Sequence, residues 1–261
     1  MLEMRARFRT MHEAGLFVMP NPWDAGSARV LEGLGFPALA TTSSGLAATL
    51  GKKDQQVTRD ELVAHVAALT AVIGVPLNVD AERCYDDVAE TVSLLAAAGA
   101  SGISIEDYDP GRESVEALED AAARVAVAKE ACARHGIVLT ARAENLLYGH
   151  DDLDDTVGRL RAYREAGADV VYAPGLRAPQ DIARVVAEVA APVNVLAVEG
   201  APAIDALAKL GVRRVSTGGA LAWAAYGGLR DAARELLESG TTTFRARSLT
   251  GGEIEAIADR P

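Results

Sequence analysis

Residues 77–107 read LNVDAERCYDDVAETVSLLAAAGASGISIED. Two short apolar runs, LNVDA (77–81) and GISIED (102–107), flank an Ala/Leu-rich stretch that stops at a glycine, the residue that supplies a left-handed helix cap. Strand, helix and strand make one βαβ unit. Both strands end in acids: Asp80 and Glu82 after the first, Glu106 and Asp107 after the second. If the first strand runs on through residue 82, Asp80 and Glu82 share one face, because side chains two apart point the same way. Like charges so placed repel unless a cation or a proton lies between them.

The unit repeats along the chain. Further strands are expected at 16–20 (LFVMP), 38–43 (ALATTS), 138–143 (VLTARA), 170–174 (VVYAP), 193–198 (VNVLAV) and 213–218 (RRVSTG). Between them lie amphipathic helical patterns such as DELVAHVAALTAVIG and ALEDAAARVAVAKEACARHG, and several helices end in Gly. Eight strand–helix units with no break in composition predict an α/β fold of the (β/α)8 TIM-barrel type. An open doubly wound sheet is the competitor, but no GxGxxG follows the first strand. The whole chain, 1–261, is expected to form a single barrel domain with a C-terminal helical extension from about residue 220.

Composition narrows the function classes. The 261 residues are 49% hydrophobic and 24% charged, as in an ordinary globular protein. A net charge of −11 argues against a nucleic-acid partner, which needs a basic patch. The start lacks the apolar core of about 7–15 residues that marks a signal peptide. No apolar run approaches the roughly 18 residues that span a membrane. Two cysteines, Cys84 and Cys132, make neither a disulfide framework nor a CxxC metal pattern. The cytoplasm is the expected compartment.

Barrel enzymes place their chemistry at the carboxyl ends of the strands. Those ends carry Asn21 and Asp24, then Ser43, Ser44 and Gly45, then Asp80 and Glu82. Glu106 and Asp107, Arg142 and Glu144, and Asn194 follow. Acids converging from adjacent strands suit a hard divalent cation with oxygen ligands, Mg²⁺ or Mn²⁺. Arg142 near the pore needs a carboxylate partner, either Glu106 or the substrate's own. Asp107 and Glu144 fit equally well as residues that begin helices. Ser44 and Gly45, in TTSSGL, offer a hydroxyl and backbone N–H groups in an anion-binding turn. The four lysines, Lys52, Lys53, Lys129 and Lys209, fall outside the strands, which argues against Schiff-base chemistry. Cys132 reads as core, and Cys84 is a loop thiol without a histidine partner.

Taken together, NPWDAGSARVLEGLGFPALATTSSGLAATLGKKD, VDAERCY, GISIED and TARAENLL resemble the isocitrate lyase / phosphoenolpyruvate mutase superfamily over roughly residues 15–230. The resemblance implies a barrel, usually a tetramer whose last helices exchange between subunits. It also implies Mg²⁺ and 2-oxo acid substrates whose enolate forms as a C–C or C–P bond breaks. By position, Ser44, Gly45 and Leu46 would contact the substrate carboxylate, as would Arg142 and Asn194 the substrate. Asp80, Glu82 and Glu106 would serve the metal. Arg142, Glu106 and the loop residue Asp54 would be catalytic. The chain departs from the lyases where they carry a Lys-Lys/Arg-Cys-Gly-His loop after strand four, for here that place reads EDYDPGRESVEALED. Pro174 also stands where some relatives of that superfamily have His or Glu, and Trp223 where Arg is common.

The expected activity is Mg²⁺-dependent cleavage beside a 2-oxo acid, like oxaloacetate decarboxylase or a phosphonopyruvate/PEP-mutase-type enzyme, in a homo-oligomer (dimer or tetramer). The alternatives are a metal-dependent class II aldolase or hydroxymethyltransferase, and a non-catalytic 2-oxo acid binding protein.

Overall fold

A computed structural model describes residues 1–259; Arg260 and Pro261, the end of the expected extension, lie outside the described residues. The strands are β1 (Phe17–Met19), β2 (Leu39–Ala40), β3 (Leu77–Asp80), β4 (Gly102–Glu106), β5 (Val138–Arg142), β6 (Val170–Tyr172), β7 (Val193–Leu196) and β8 (Arg214–Ser216). They form one parallel sheet in the order β1-β8-β7-β6-β5-β4-β3-β2. The two ends of that order meet where the Ala40 N–H donates to the Pro20 carbonyl at 3.0 Å. Asn21 fastens this seam. Its Nδ2 donates to the Thr41 carbonyl (2.7 Å), while its Oδ1 accepts from the amides of Thr217 (2.8 Å) and Gly218 (3.0 Å). The sheet is therefore a nearly closed (β/α)8 barrel, as the repeating units predict.

The helices are α1 (Leu2–Thr10), α2 (Ala25–Gly33), α3 (Ser43–Thr49), α4 (Arg59–Thr70), α5 (Val88–Ala97), α6 (Leu118–His135), α7 (Leu153–Glu165), α8 (Pro179–Val189), α9 (Ile204–Lys209), α10 (Ala220–Ser239) and α11 (Gly251–Ala258). Local chemistry sets their ends. Thr58 and Glu61 form a reciprocal capping box on α4, and Gly136 closes α6 at φ +69°. Asp24 caps α2 by accepting from the Ser27 amide at 2.7 Å, so this strand-end acid begins a helix.

Alternation along the strands sorts the core into two parts. Val79, Ile103, Ile105, Leu139 and Val171 pack outward against the helices. Phe17, Met19, Ala38, Ala40, Val138 and Val170 form a smaller apolar cluster with Phe8 of α1. Helix α1 thus plugs the amino-terminal end of the barrel. Gly102 makes room for it, since a Cβ there would lie 2.5 Å from both the Phe8 ring and Asn78 Oδ1. Arg5 secures the plug by donating to the carbonyls of Ala96, Ala100 and His135.

After β4 comes a short antiparallel hairpin, Tyr108–Asp109 with Ser114–Val115. Helices α10 and α11 follow the last strand and leave Trp223, Leu229, Leu237 and Ile254 exposed. No helix among the described residues is long and apolar enough to cross a membrane.

Candidate active site

The carboxyl ends of β3, β4 and β5 meet around a single guanidinium. Register places Asp80 beside Ser104 and Glu106 beside Arg142. Arg142 Nη1 reaches Asp80 Oδ1 at 2.7 Å, Nη2 reaches Glu106 Oε2 at 3.1 Å, and Nε donates to Glu144 Oε1 at 2.7 Å. Its planar fork suits this multiple pairing in a way a lysine could not. The guanidinium also lies 5.3 Å from the Tyr172 ring centroid, a cation–π contact. Burial opposes its charge, but Glu144, Glu106 and Asp80 outweigh it and hold Arg142 firmly protonated. Burial pushes the Glu106 carboxyl well above the usual range, against the pull of Arg142.

The other expected residues fall on different sides of this cluster. Asp80 Oδ2 accepts from the Ser43 amide at 3.0 Å, which ties the metal candidate to the start of α3. Asp54 lines the same cavity as Asp80, Ser43 and Ser44, and burial followed by the Asp80 charge raises its pKa. Asn194 sits deeper, donating to Ser216 Oγ at 3.0 Å. The TTSSGL segment, expected as an anion-binding turn, opens a helix: Thr42 caps α3. The Gly45 amide donates to Thr42 Oγ1 (3.3 Å) and the Leu46 amide to the Thr42 carbonyl (3.0 Å). Those two donors are engaged within the helix, and Ser44 is the member of the expected trio that lines the cavity.

Glu82 departs most from its expected place. Strand β3 ends at Asp80, and Glu82 turns away with φ +50°, so the two acids do not share a strand face. Its Oε1 is buried with no hydrogen-bond partner. Burial, then the charges of Asp80 and Asp54, push this carboxyl up to about 8. Cys84 (φ +68°) and Tyr85 (φ +57°) continue the left-handed loop, and Cys84 is buried, its thiol raised far above the ordinary range by burial. Asp107 serves the fold: it accepts from Tyr163 Oη (2.5 Å), Arg159 Nη1 (3.1 Å) and the Glu144 amide (2.8 Å).

Sequence reading missed Gln55, Tyr172 and Arg214. Gln55 Nε2 donates to Glu106 Oε1 at 2.7 Å from the loop before α4, where no periodicity could have placed it. Tyr172 and Arg214 stand on strands at inward positions, and the two-residue alternation would have found them. Trp223 comes from α10 to the same rim: a Cβ on Gly219 would lie 2.6 Å from its Nε1 and 3.0 Å from Ser44 Oγ.

The donor set suits a hydrated Mg²⁺. Among the described residues no three Asp, Glu, His or Cys side chains are grouped as a ready-made cage. Mg²⁺ does not need one, because it keeps several waters and takes one or two carboxylates. Asp80, Glu106 and Glu82, whose Oε1 is buried without a hydrogen-bond partner, supply carboxylate oxygens, and a cation there would take the place of the protons that burial favours on Glu82 and Glu106.

Comparison with known proteins agrees with this geometry. The profile of the family described as Phosphoenolpyruvate phosphomutase matches residues 8–237. A Burkholderia cenocepacia J2315 protein of provisional lyase/mutase assignment has a crystal structure 45% identical to this chain. It has a TM-score of 0.95, with 100% of this chain and 97% of that one covered. An uncharacterized Mycobacterium tuberculosis (H37Rv) protein is 36% identical over 218 residues, 81% of each. Oxaloacetate decarboxylase of Paraburkholderia xenovorans LB400 is 32% identical over 220 residues, 79% of this chain and 70% of that protein. The barrel, the acids gathered at its mouth and these matches place the chain in the phosphoenolpyruvate mutase/isocitrate lyase superfamily of lyases and mutases.

Proposed function

We propose that this enzyme is a Mg²⁺- or Mn²⁺-dependent lyase that cleaves a C–C or C–P bond beside a 2-oxo acid through an enolate. The similarity to oxaloacetate decarboxylase supports the C–C form. The observation that carries the reading is the convergence of Asp80, Glu106 and Glu144 on Arg142, next to the Ser43–Ser44 turn.

Asp80, Glu82 and Glu106 would hold the cation, Asp80 being the ligand nearest the cavity. When bound, it supplies Lewis-acid polarisation of the keto oxygen. Ser44 and Asn194 orient the substrate. Arg142, fixed by Glu144 and Tyr172, keeps a permanent positive charge where the enolate oxygen develops, which is electrostatic stabilisation by a preorganised group. Asp54 faces the same space, and burial together with the Asp80 charge raises its pKa above that of an ordinary aspartate, which favours its protonated form. The hairpin after β4 carries no cysteine or histidine. Water therefore supplies the proton that completes the product, which suits decarboxylation or phosphonate cleavage better than a stereospecific retro-aldol.

The exposed apolar residues on α10 and α11 support a homo-oligomer, dimer or tetramer, and the two buried free thiols fit a cytoplasmic setting. The function is tested by metal-dependent turnover of oxaloacetate and phosphonopyruvate. Asp80→Ala is expected to abolish it. A variant with undiminished metal-dependent turnover would sink the assignment.

A further inference from the structure

Arg214 is a cation at the bottom of the cavity with no counter-charge. It stands on β8, is 1% exposed, and faces the lumen. Its Nε donates to Asn194 Oδ1 (2.9 Å) and its Nη2 to Thr140 Oγ1 (2.9 Å), while Nη1 lies 3.3 Å from His12 Nε2. All three partners are neutral. His12 Nδ1 lies 2.8 Å from the Phe8 carbonyl, so that nitrogen carries the proton and Nε2 accepts from the guanidinium. Burial, then Arg214 itself, pushes the His12 pKa down to about 3. Among the described residues no carboxylate lies within ion-pair distance of Arg214. Arg5, also buried, differs: its donors end on carbonyls at the carboxyl ends of α5 and α6, the negative ends of those helices.

An unpaired buried charge is costly, and fold stability alone gives no reason to keep one. The cavity, about 160 Å³, runs from Ser44 and Arg142 at the mouth to Asn78, Asn194 and Arg214 at the floor. Arg142 and Arg214 are the cations on its wall, and three carboxylates already claim Arg142. A guanidinium has five N–H groups, so Arg214 has two left after its three contacts, enough for a bidentate carboxylate or phosphonate. Burial lowers its pKa to about 9, which leaves it charged at neutral pH.

We infer that the cavity floor is a second anion subsite, where Arg214 selects substrates bearing a second anionic group over monoanionic 2-oxo acids. This deepens the proposed function and rests on it. The test is calorimetric titration, with Mg²⁺ present, of pyruvate and of 3,3-difluorooxaloacetate into wild type, Arg214→Gln and Arg214→Lys. Wild type is expected to prefer the dianion by about tenfold or more. Arg214→Gln should erase that preference while leaving pyruvate affinity within about threefold, and Arg214→Lys should retain part of it. A wild type that binds both ligands equally overturns the inference but leaves the proposed function standing. Binding of neither ligand overturns both. Equal losses for both ligands in Arg214→Gln would make the residue an internal strut and end the proposal. If Arg214→Gln does not fold, the wild-type preference and its change in Arg214→Lys decide.

Discussion

Arg142 is the residue on which the site turns, and its shape matters as much as its charge. Arg142→Lys keeps a cation but cannot reach three carboxylates from one planar group. We expect kcat/KM to fall about 100-fold or more, with circular dichroism near wild type and a lowered thermal midpoint, because buried Glu106 or Glu144 loses its partner. Glu82 gives a pH signature. Its carboxyl ionises at about 8 in the folded protein against 4.5 normally, so between those values the folded form keeps a proton that the unfolded chain has released. Stability without metal therefore falls as pH rises through that window. Glu82→Gln should flatten the slope in urea midpoints measured from pH 5 to 9. Mg²⁺ affinity should move the other way, strengthening with pH up to about 8, because a ligand must lose its proton. Asp80, Glu106 and Arg142 were legible in the sequence because each directly ends an apolar strand. The course of Glu82 was not, since its left-handed backbone has no glycine or asparagine to announce it.

The hairpin after β4 shows how an element can hold a loop still. Tyr108 stacks on Tyr148 with ring centroids 3.7 Å apart and planes 3° from parallel. Arg83 pairs with Asp109 at 3.5 Å and with Glu116, which also accepts from Arg124. Both sides of the mouth are thereby joined, β4's loop to β5's. Tyr148→Ala should loosen residues 107–116, seen as faster amide exchange there, at a cost of about 1 kcal/mol from the lost ring pair. Unchanged exchange would show that the ion pairs suffice. Sequence placed this loop correctly in the chain and noted what it lacks. It could not foresee the stack, because Tyr108 and Tyr148 are brought together only by the barrel's curvature. Helix α3 was missed for a related reason: SSGLAAT is too short for a periodic pattern to show.

Across the molecule, the eight strands were readable because each is a compact apolar run, while the barrel's interior was not. The plug by α1 depends on Phe8 meeting Gly102 across the lumen, a contact invisible to local pattern. Phe8→Ala should cost about 3–5 kcal/mol, measured by urea denaturation. Gly102→Ala should also destabilise, since its Cβ would meet the Phe8 ring at 2.5 Å. The pairing of the first strand with the last has a consequence for biosynthesis. β1 pairs with β8, Phe17 beside Arg214 and Met19 beside Ser216, so the first strand made waits for the last. At about 5–20 residues per second, the roughly 200 residues between them take about 10–40 s to emerge from a ribosome. Until then Phe17 and Met19 lack the neighbour that completes the barrel around them. A chain arrested before residue 214 would therefore present apolar side chains and unpaired strand edges, making stalled translation products the form of this protein most prone to aggregate.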